Sequence, residues 1–528
     1  MNKNFRNCFS IIQFLAVILA ACSPRTQTQL TISPRLTARY IDAPLIKGLA
    51  LNQAIQIRIY VPEGREVKYQ ALRLELDAYA VRALQKIDIF GMKSSDNNFQ
   101  QGANLLGSAS NLSGNVSIPI SMNLQPGLHY LWISPVLKAD ADIDQQISIK
   151  ARALINGSSE QQQISGTGGK MGFKKRLALA LRKANDDGVN TYRIPGMATT
   201  DKGTLISVYD IRYDHSRDLP ANIDVGMNRS TDGGKTWEPM KIIMDMGGPN
   251  ENSGIGDPAI LFDPITKRIW VAALWSKGNR SIAGSEPGLS PDITGQFVLV
   301  SSDDDGRTWS KPYSITSQVK NPKWHLYFNG PGNGIAMENG TLVFPSQYWD
   351  ESKKPGIPHS AIIYSDDHGK TWKSGTGAKS NTTESQVVET TPGTLMLNMR
   401  DNRGKYRSIA TTKDLGTSWV EHHTSYQALP DPVCMGSIIK ARVNVKGKLK
   451  DVLFFSNAAS QTARKDITIK ASLDLGETWL PANELLLDER LVFGYSALTK
   501  IDEKTIGILY EGDKDLYFMR IPVADIIK

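Results

Sequence analysis

Cysteine is scarce in this chain, three among 528 residues, at Cys8, Cys22 and Cys434. That number leaves little room for a disulfide framework or a cysteine-built metal site. Histidine is scarce as well: none of the seven stands at metal-ligand spacing, and His422-His423, being adjacent, would point to opposite faces of a strand. A glycine-rich phosphate loop and a dinucleotide fingerprint are both missing, so neither a metal nor an organic cofactor is expected. Basic runs are missing too. The formal net charge is +8, but the cations are dispersed as on a solvated, mildly basic surface. Zinc-finger spacings, basic heptad helices and interleaved aromatics are lacking, which argues against a nucleic-acid partner. Only one long apolar run occurs, Phe9 to Ala21, and it is too short to read as a spanning helix. The remainder, within an overall 40% hydrophobic and 22% charged composition, is ordinary globular sequence. Its length exceeds what one hydrophobic core holds, roughly 250–300 residues, so at least two domains follow.

Lys3 and Arg6 ahead of the apolar run give residues 1–21 the character of a signal peptide. The run ends in Leu19-Ala20-Ala21-Cys22, which resembles a bacterial lipobox. That resemblance implies cleavage before Cys22, acylation of its thiol, and a cell-envelope lipoprotein of a bacterium that touches membrane only through its lipid. Cys8 would leave with the signal and Cys434 would stand alone, so no intramolecular disulfide forms.

From about Leu30 to Ile155 apolar residues alternate: Ile55, Ile57, Ile59 and Val61, then Leu72, Leu74 and Leu76, Ile87 and Ile89, Val116, Ile118 and Ile120, and Leu131 to Ile133. Period two means half-buried strands, and the Gly, Asn and Ser turns between them predict a β-sandwich over residues 22–155. Residues 156–170 are polar and Gly/Ser-rich, as a linker would be. Phe173 to Asp186 holds good helix formers, yet Leu177, Leu179 and Leu181 recur at spacing two, which predicts the first strand of the next domain.

Residues 171–528 carry an internal repeat of the form SxDxGxTW. It appears as STDGGKTW (Ser230 to Trp237), SDDDGRTW (Ser302 to Trp309), SDDHGKTW (Ser365 to Trp372) and SLDLGETW (Ser472 to Trp479), with a degenerate copy, TKDLGTSW, from Thr412 to Trp419. Each reads as a hairpin turn in which the Asp accepts backbone N–H bonds, the Gly takes a positive φ and the Trp anchors the turn. One such hairpin per unit at these intervals suits a radial array of sheets. The repeats resemble the Asp boxes of sialidases and related propellers, and they specify architecture rather than chemistry.

Other landmarks carry the chemistry. Tyr192-Arg193-Ile194-Pro195, TESQVVE (Thr383 to Glu389), LNMRD (Leu397 to Asp401), SNAASQTAR (Ser456 to Arg464) and GYSAL (Gly494 to Leu498) follow in order. Together they resemble bacterial exo-α-sialidases, family 33 of the glycoside hydrolases, over the chain from about residue 175 to its end. The resemblance implies an all-β fold, a six-bladed β-propeller behind the sandwich, which itself could hold glycan.

It further implies that Arg193, Arg400 and Arg464 form an arginine triad for the carboxylate that sialic acid carries on its anomeric carbon. Tyr495 would be the nucleophile, a neutral phenol that avoids repulsion by that carboxylate. Glu384 would be its base; on bare sequence Glu389 is an equal candidate, and the family spacing to Arg400 selects Glu384. The acid/base falls in the loop Arg212 to Asp218, where Asp218 is preferred over Asp214, and Arg212 resembles a further substrate arginine. Asp257, Trp275 and Tyr348 could line the sugar pocket, although core packing explains each of them as well. The expected reaction is retaining hydrolysis of terminal α-linked sialic acid from glycoproteins, glycolipids and oligosaccharides, by a monomer. Transfer on the same site, including an intramolecular trans-sialidase, and a glycan-binding propeller without turnover are the alternatives.

Overall fold

The structure, a computed structural model, describes residues 33–92, 103–166, 168–247, 253–278 and 280–528. The signal segment and Cys22 lie outside the described residues. The described chain is almost entirely β, and none of its helices is long and apolar enough to cross a membrane.

Two packed sheets form the N-terminal region. One runs in the order Arg35–Tyr40, Ile55–Val61, Gly127–Leu137, Leu84–Met92, Asn104–Ala109; facing it are Asn115–Leu124, Val67–Leu76 and Gln146–Asn156. The alternating residues read from the sequence supply the core between them: Ile57, Ile59, Leu72, Ile87, Ile89, Ile118, Leu131 and Ile133 are all fully buried. Each contributes about 1.5–3 kcal/mol relative to exposure.

The stretch 156–170 is not a free linker. Asn156 Oδ1 accepts from the backbone N–H groups of Ser158 and Glu160 and turns the chain back, so Gln161–Gln163 pairs with Ala153 to Ile155. Ala38 N–H then donates to Ser165 O over 2.7 Å. Gly and Ser here serve a tight return along the sheet instead of slack. Strand Lys174–Arg182 continues the same sheet: its first residues pair with Ile147 and its neighbours, its last with Leu516 to Phe518 near the C-terminus. The junction between the two regions is one continuous sheet.

Among the described residues, six sheets with four principal strands apiece succeed one another from residue 191 onward, the last completed by Lys174–Arg182. Their innermost strands, Thr191–Thr199, Gly254–Phe262, Leu326–Asn329 with Ile335–Ala336, Thr382–Thr391, Ser437–Val445 and Ser496–Lys500, lie side by side, and the last touches the first. The ring closes as a six-bladed β-propeller, and separate apolar clusters fill the spaces between neighbouring blades.

The repeat turns join third to fourth strands in the first five blades. In the first, Asp232 Oδ1 accepts from Thr236 N–H (2.9 Å) and Oδ2 from its hydroxyl (2.6 Å), while Gly234 N–H donates to Ser230 Oγ (2.9 Å). The degenerate copy keeps this pattern, because Thr412 and Ser418 still supply hydroxyls at the required places. Each box Gly has a positive φ and also lies against the preceding blade, where a Cβ on Gly234 would strike Phe518 and one on Gly369 would strike Trp270. The sixth blade has no box because its fourth strand arrives from Lys174–Arg182, with no hairpin to turn.

Candidate active site

In an antiparallel blade the start of the first strand and the end of the second share one rim. That rim collects Arg193 and Asp257 near first-strand starts, Glu384 likewise, Arg212, Arg400 and Glu511 at second-strand ends, and Tyr495 just ahead of Ser496–Lys500. The box turns occupy the opposite rim. Bulges between Arg193 and Gly196, Gly256 and Ala259, and Thr382 and Ser385 re-aim side chains at the site. Ile194 and Asp257 hold φ values of 58° and 57° there, and for β-branched Ile194 this is a conformation adopted only when the surroundings force it.

Tyr495 is the meeting point. Its hydroxyl donates to Glu384 Oε1 over 2.5 Å and accepts from Arg400 Nη1 over 2.9 Å. Arg400 Nη1 also reaches Glu384 Oε2 at 2.6 Å. The guanidinium carbons of Arg193 and Arg464 stand 5.3 and 5.5 Å from the phenol ring centroid, within cation–π range. Burial and then the Glu384 carboxylate push the Tyr495 hydroxyl well above the usual phenol range, against the opposing pull of Arg400 and Arg193. Free Cys434 lies buried beneath, its thiol pushed up to about 12 by burial, which keeps it protonated and inert.

Glu389, the rival base, sits at the far end of its strand. There Oε2 accepts from Glu338 N–H (2.7 Å) and Oε1 from Gly393 N–H (2.8 Å), a turn-fastening role.

Arg212 is nearly fully buried and binds Asp210 through Nε and Nη2 (3.1 and 2.8 Å) and Asp218 through Nη1 (2.7 Å). Asp218 leans over the site with its side chain 66% exposed and Arg193 Nη1 at 3.6 Å. Partial desolvation pushes its pKa up, but the Arg212 and Arg193 guanidiniums outweigh that and hold it below the usual carboxylate value. Asp214 is exposed on the same loop. Asp257 is raised well above the carboxylate range by burial, then by Asp210, Asp218 and Glu384. Its backbone N–H donates to Asp210 Oδ1 (2.8 Å), which places it in the site.

Trp275 and Tyr348 serve packing. Trp275 donates to Met246 O (2.9 Å) at a junction between blades, and Tyr348 is stacked between Trp324 and His359.

Sequence reading missed two carboxylates. Glu511, fully buried, accepts from Arg193 Nε (3.0 Å), Ile194 N–H (2.9 Å) and Tyr495 N–H (2.9 Å), so it ties the first arginine to the phenol's backbone. Asp210 fixes Arg212 and is pushed up to about 6, burial being the main cause. Each is the one acid in a largely apolar second strand, LISVYDIR (Leu205–Arg212) and TIGILYE (Thr505–Glu511), and that isolation is the signal that could have found them.

His422 and His423 also depart from expectation. They lie just past the short strand Val420–Glu421, where strand alternation has ended, and both rings turn toward Glu477.

The chain is similar to known proteins. Residues 217–508 match the BNR repeat-like domain, and residues 35–160 match the N-terminal domain of BNR-repeat neuraminidase. A sialidase of Bacteroides fragilis is 46% identical over 77% of this chain and 75% of its own length. One from Micromonospora viridifaciens is 33% identical over 71% of this chain and 58% of its length. The solved structure of the Hadza microbial sialidase Hz136 superposes with a TM-score of 0.85 at 38% identity, covering 93% of this chain and all of that one. With BNR repeats, the neuraminidase-associated N-terminal domain and this degree of identity, the chain belongs to the sialidase family.

Proposed function

We propose that this protein is an exo-α-sialidase that removes terminal α-linked sialic acid from glycoproteins, glycolipids and oligosaccharides with net retention. The observation that carries this reading is a phenol hydrogen-bonded to a carboxylate and surrounded by three guanidiniums. Three fixed forks of positive charge suit a planar carboxylate at the reacting carbon. A carboxylate nucleophile beside it would be repelled, whereas Tyr495 is held neutral and its proton already points at Glu384.

Attack by the Tyr495 oxygen on the anomeric carbon transfers the phenol proton to Glu384 while Asp218 protonates the departing glycosidic oxygen. Arg193 would be neutralised by the substrate's carboxylate, which relieves part of the pull on Asp218 and raises its proton affinity when the proton is needed. Asp218, now a carboxylate, then takes a proton from water as it attacks the same carbon from the opposite side, and Tyr495 leaves with the proton returned from Glu384. Two inversions give retention. Asp257, its carboxyl pushed up by burial and by Asp210, would hydrogen-bond a sugar substituent, and buried Arg212 would hold Asp210 and Asp218 in place around the substrate.

Proton NMR of the earliest product tests the reading. Free sialic acid appearing first as the α-anomer supports it, whereas first appearance of the β-anomer, or an anhydro or transferred sugar as main product, sinks the retaining-hydrolase assignment.

A further inference from the structure

On the rim opposite the active site, the loop after Val420–Glu421 in the fourth blade meets the Asp-box turn of the fifth. There His422 Nε2 stands 3.6 Å from Glu477 Oε1, and His423 Nδ1 stands 3.7 Å from Glu477 Oε2. The three ligand atoms lie within 4.8 Å of one another. Two ligands of one tetrahedral ion at about 2.0–2.1 Å are separated by roughly 3.3–3.4 Å, so each histidine–glutamate distance needs to close by only a few tenths of an ångström, and the histidine pair, within the 4.8 Å bound, by at most about 1.5 Å.

The outer contacts orient both imidazoles. His423 Nε2 lies 3.1 Å from the backbone carbonyl of Glu477, which can only accept. That nitrogen therefore carries the proton, and in the neutral ring Nδ1 presents a lone pair toward the carboxylate. His422 Nδ1 is 2.8 Å from Thr424 Oγ1 and accepts from the Thr424 backbone N–H at 3.4 Å; ion binding would select the tautomer that donates to the hydroxyl and frees Nε2 for the metal. Imidazoles whose far nitrogens are tied to oxygen while the near ones converge on a carboxylate form the usual surround of a metal-bound histidine pair. His423 presents a lone pair to the Glu477 carboxylate, a repulsion that a proton or a metal ion between them would relieve. His423 and Glu477 are well exposed, at 62% and 61%, and His422 at 11% anchors the site from beneath, so an ion has an open approach and room for water as a further ligand.

We propose that His422, His423 and Glu477 bind one divalent transition-metal ion of the zinc class and thereby clamp the fourth blade to the fifth. The site is independent of the glycosidase reading, and the reaction needs nothing from it. Imidazole with carboxylate favours zinc, nickel or copper over calcium or magnesium.

The test is calorimetric titration of the full chain with zinc chloride at neutral pH, paired with the visible spectrum of cobalt(II) added in its place. We expect one saturable equivalent and a cobalt spectrum of low symmetry. His422→Ala/His423→Ala should abolish both, Glu477→Gln should weaken zinc by about tenfold or more, and His129→Ala should change neither. Sialoside turnover should be the same with and without zinc. Glu477→Gln alters only an exposed side chain, so its folding, followed by circular dichroism, keeps the test decisive. Zinc uptake that survives in both variants, or the absence of any saturable uptake by the parent chain, overturns the proposal and leaves an imidazolium–carboxylate pair in its place.

Discussion

The Tyr495 hydroxyl donates to Glu384 Oε1 over 2.5 Å across 111 residues of chain. This bond joins the fourth blade to the sixth at the axis of the propeller. Removing either partner should stop chemistry without dismantling binding: Tyr495→Phe should lower kcat about a thousandfold and Glu384→Gln at least about a hundredfold, with KM for a fluorogenic sialoside little changed. Wild-type-like turnover by Tyr495→Phe would remove the tyrosine from the mechanism.

Glu389→Gln is the matched control. Its carboxylate fastens the N–H groups of Glu338 and Gly393, so kcat should hold while the melting temperature falls by about 2–4 °C. Differential scanning fluorimetry beside the kinetic assay checks both halves.

Asp218 and Asp214 are separable by leaving group. A general acid matters most when the departing oxygen is a poor leaving group. Asp218→Asn should therefore lose at least about tenfold more activity on sialyllactose than on an aryl sialoside, whereas Asp214→Asn should treat the two alike. The reverse pattern would exchange their roles.

Glu511→Ala leaves the buried Arg193 charge and two backbone donors without their acceptor. Breaking a buried pair in this way costs about 3–5 kcal/mol. Urea denaturation should show a loss of that order, with KM raised more than kcat is lowered, since Arg193 would lose its aim at the substrate carboxylate.

The box carboxylates predict an acid limb to stability. Burial works against the Asp304 and Asp367 charges, but hydrogen bonds from Thr308 and Thr371 and their backbones bring each down to about 2, and Ser418 does the same for Asp414. These groups are lower in the folded state than the 3.8 they start from, so their contribution is complete above about pH 4 and is lost as pH falls toward 2. Thermal melts from pH 5 to 2 should drop steeply over that window. Asp304→Asn should lower the melting temperature at neutral pH and flatten the drop.

The sequence went far with the architecture because propeller and sandwich are written in short periods. Spacing two marked Ile57, Ile59, Leu72 and Ile118 for the core, and each is buried. Five copies of one turn set out the blades, since the Asp, Gly and hydroxyl pattern is local and each copy closes its own hydrogen bonds. Motif likeness also named Arg193, Arg400, Arg464, Glu384 and Tyr495, which lie together around one phenol.

What the linear pattern could not carry was any relation between distant residues. Glu511 matters only because the sixth blade sets it beside Arg193, 318 residues earlier. His422 and His423 face one carboxylate only because the strand ends before them, which period two cannot foresee. The 156–170 stretch has the composition of slack but is drawn into a sheet by partners on Asn156, Ala153 and Ala38. By itself the sequence determined the repeating local units, because their bonds are made within a few residues. Only the tertiary structure decided which charges meet, because a charge buried at the axis is tolerated solely where the closed ring brings it a partner.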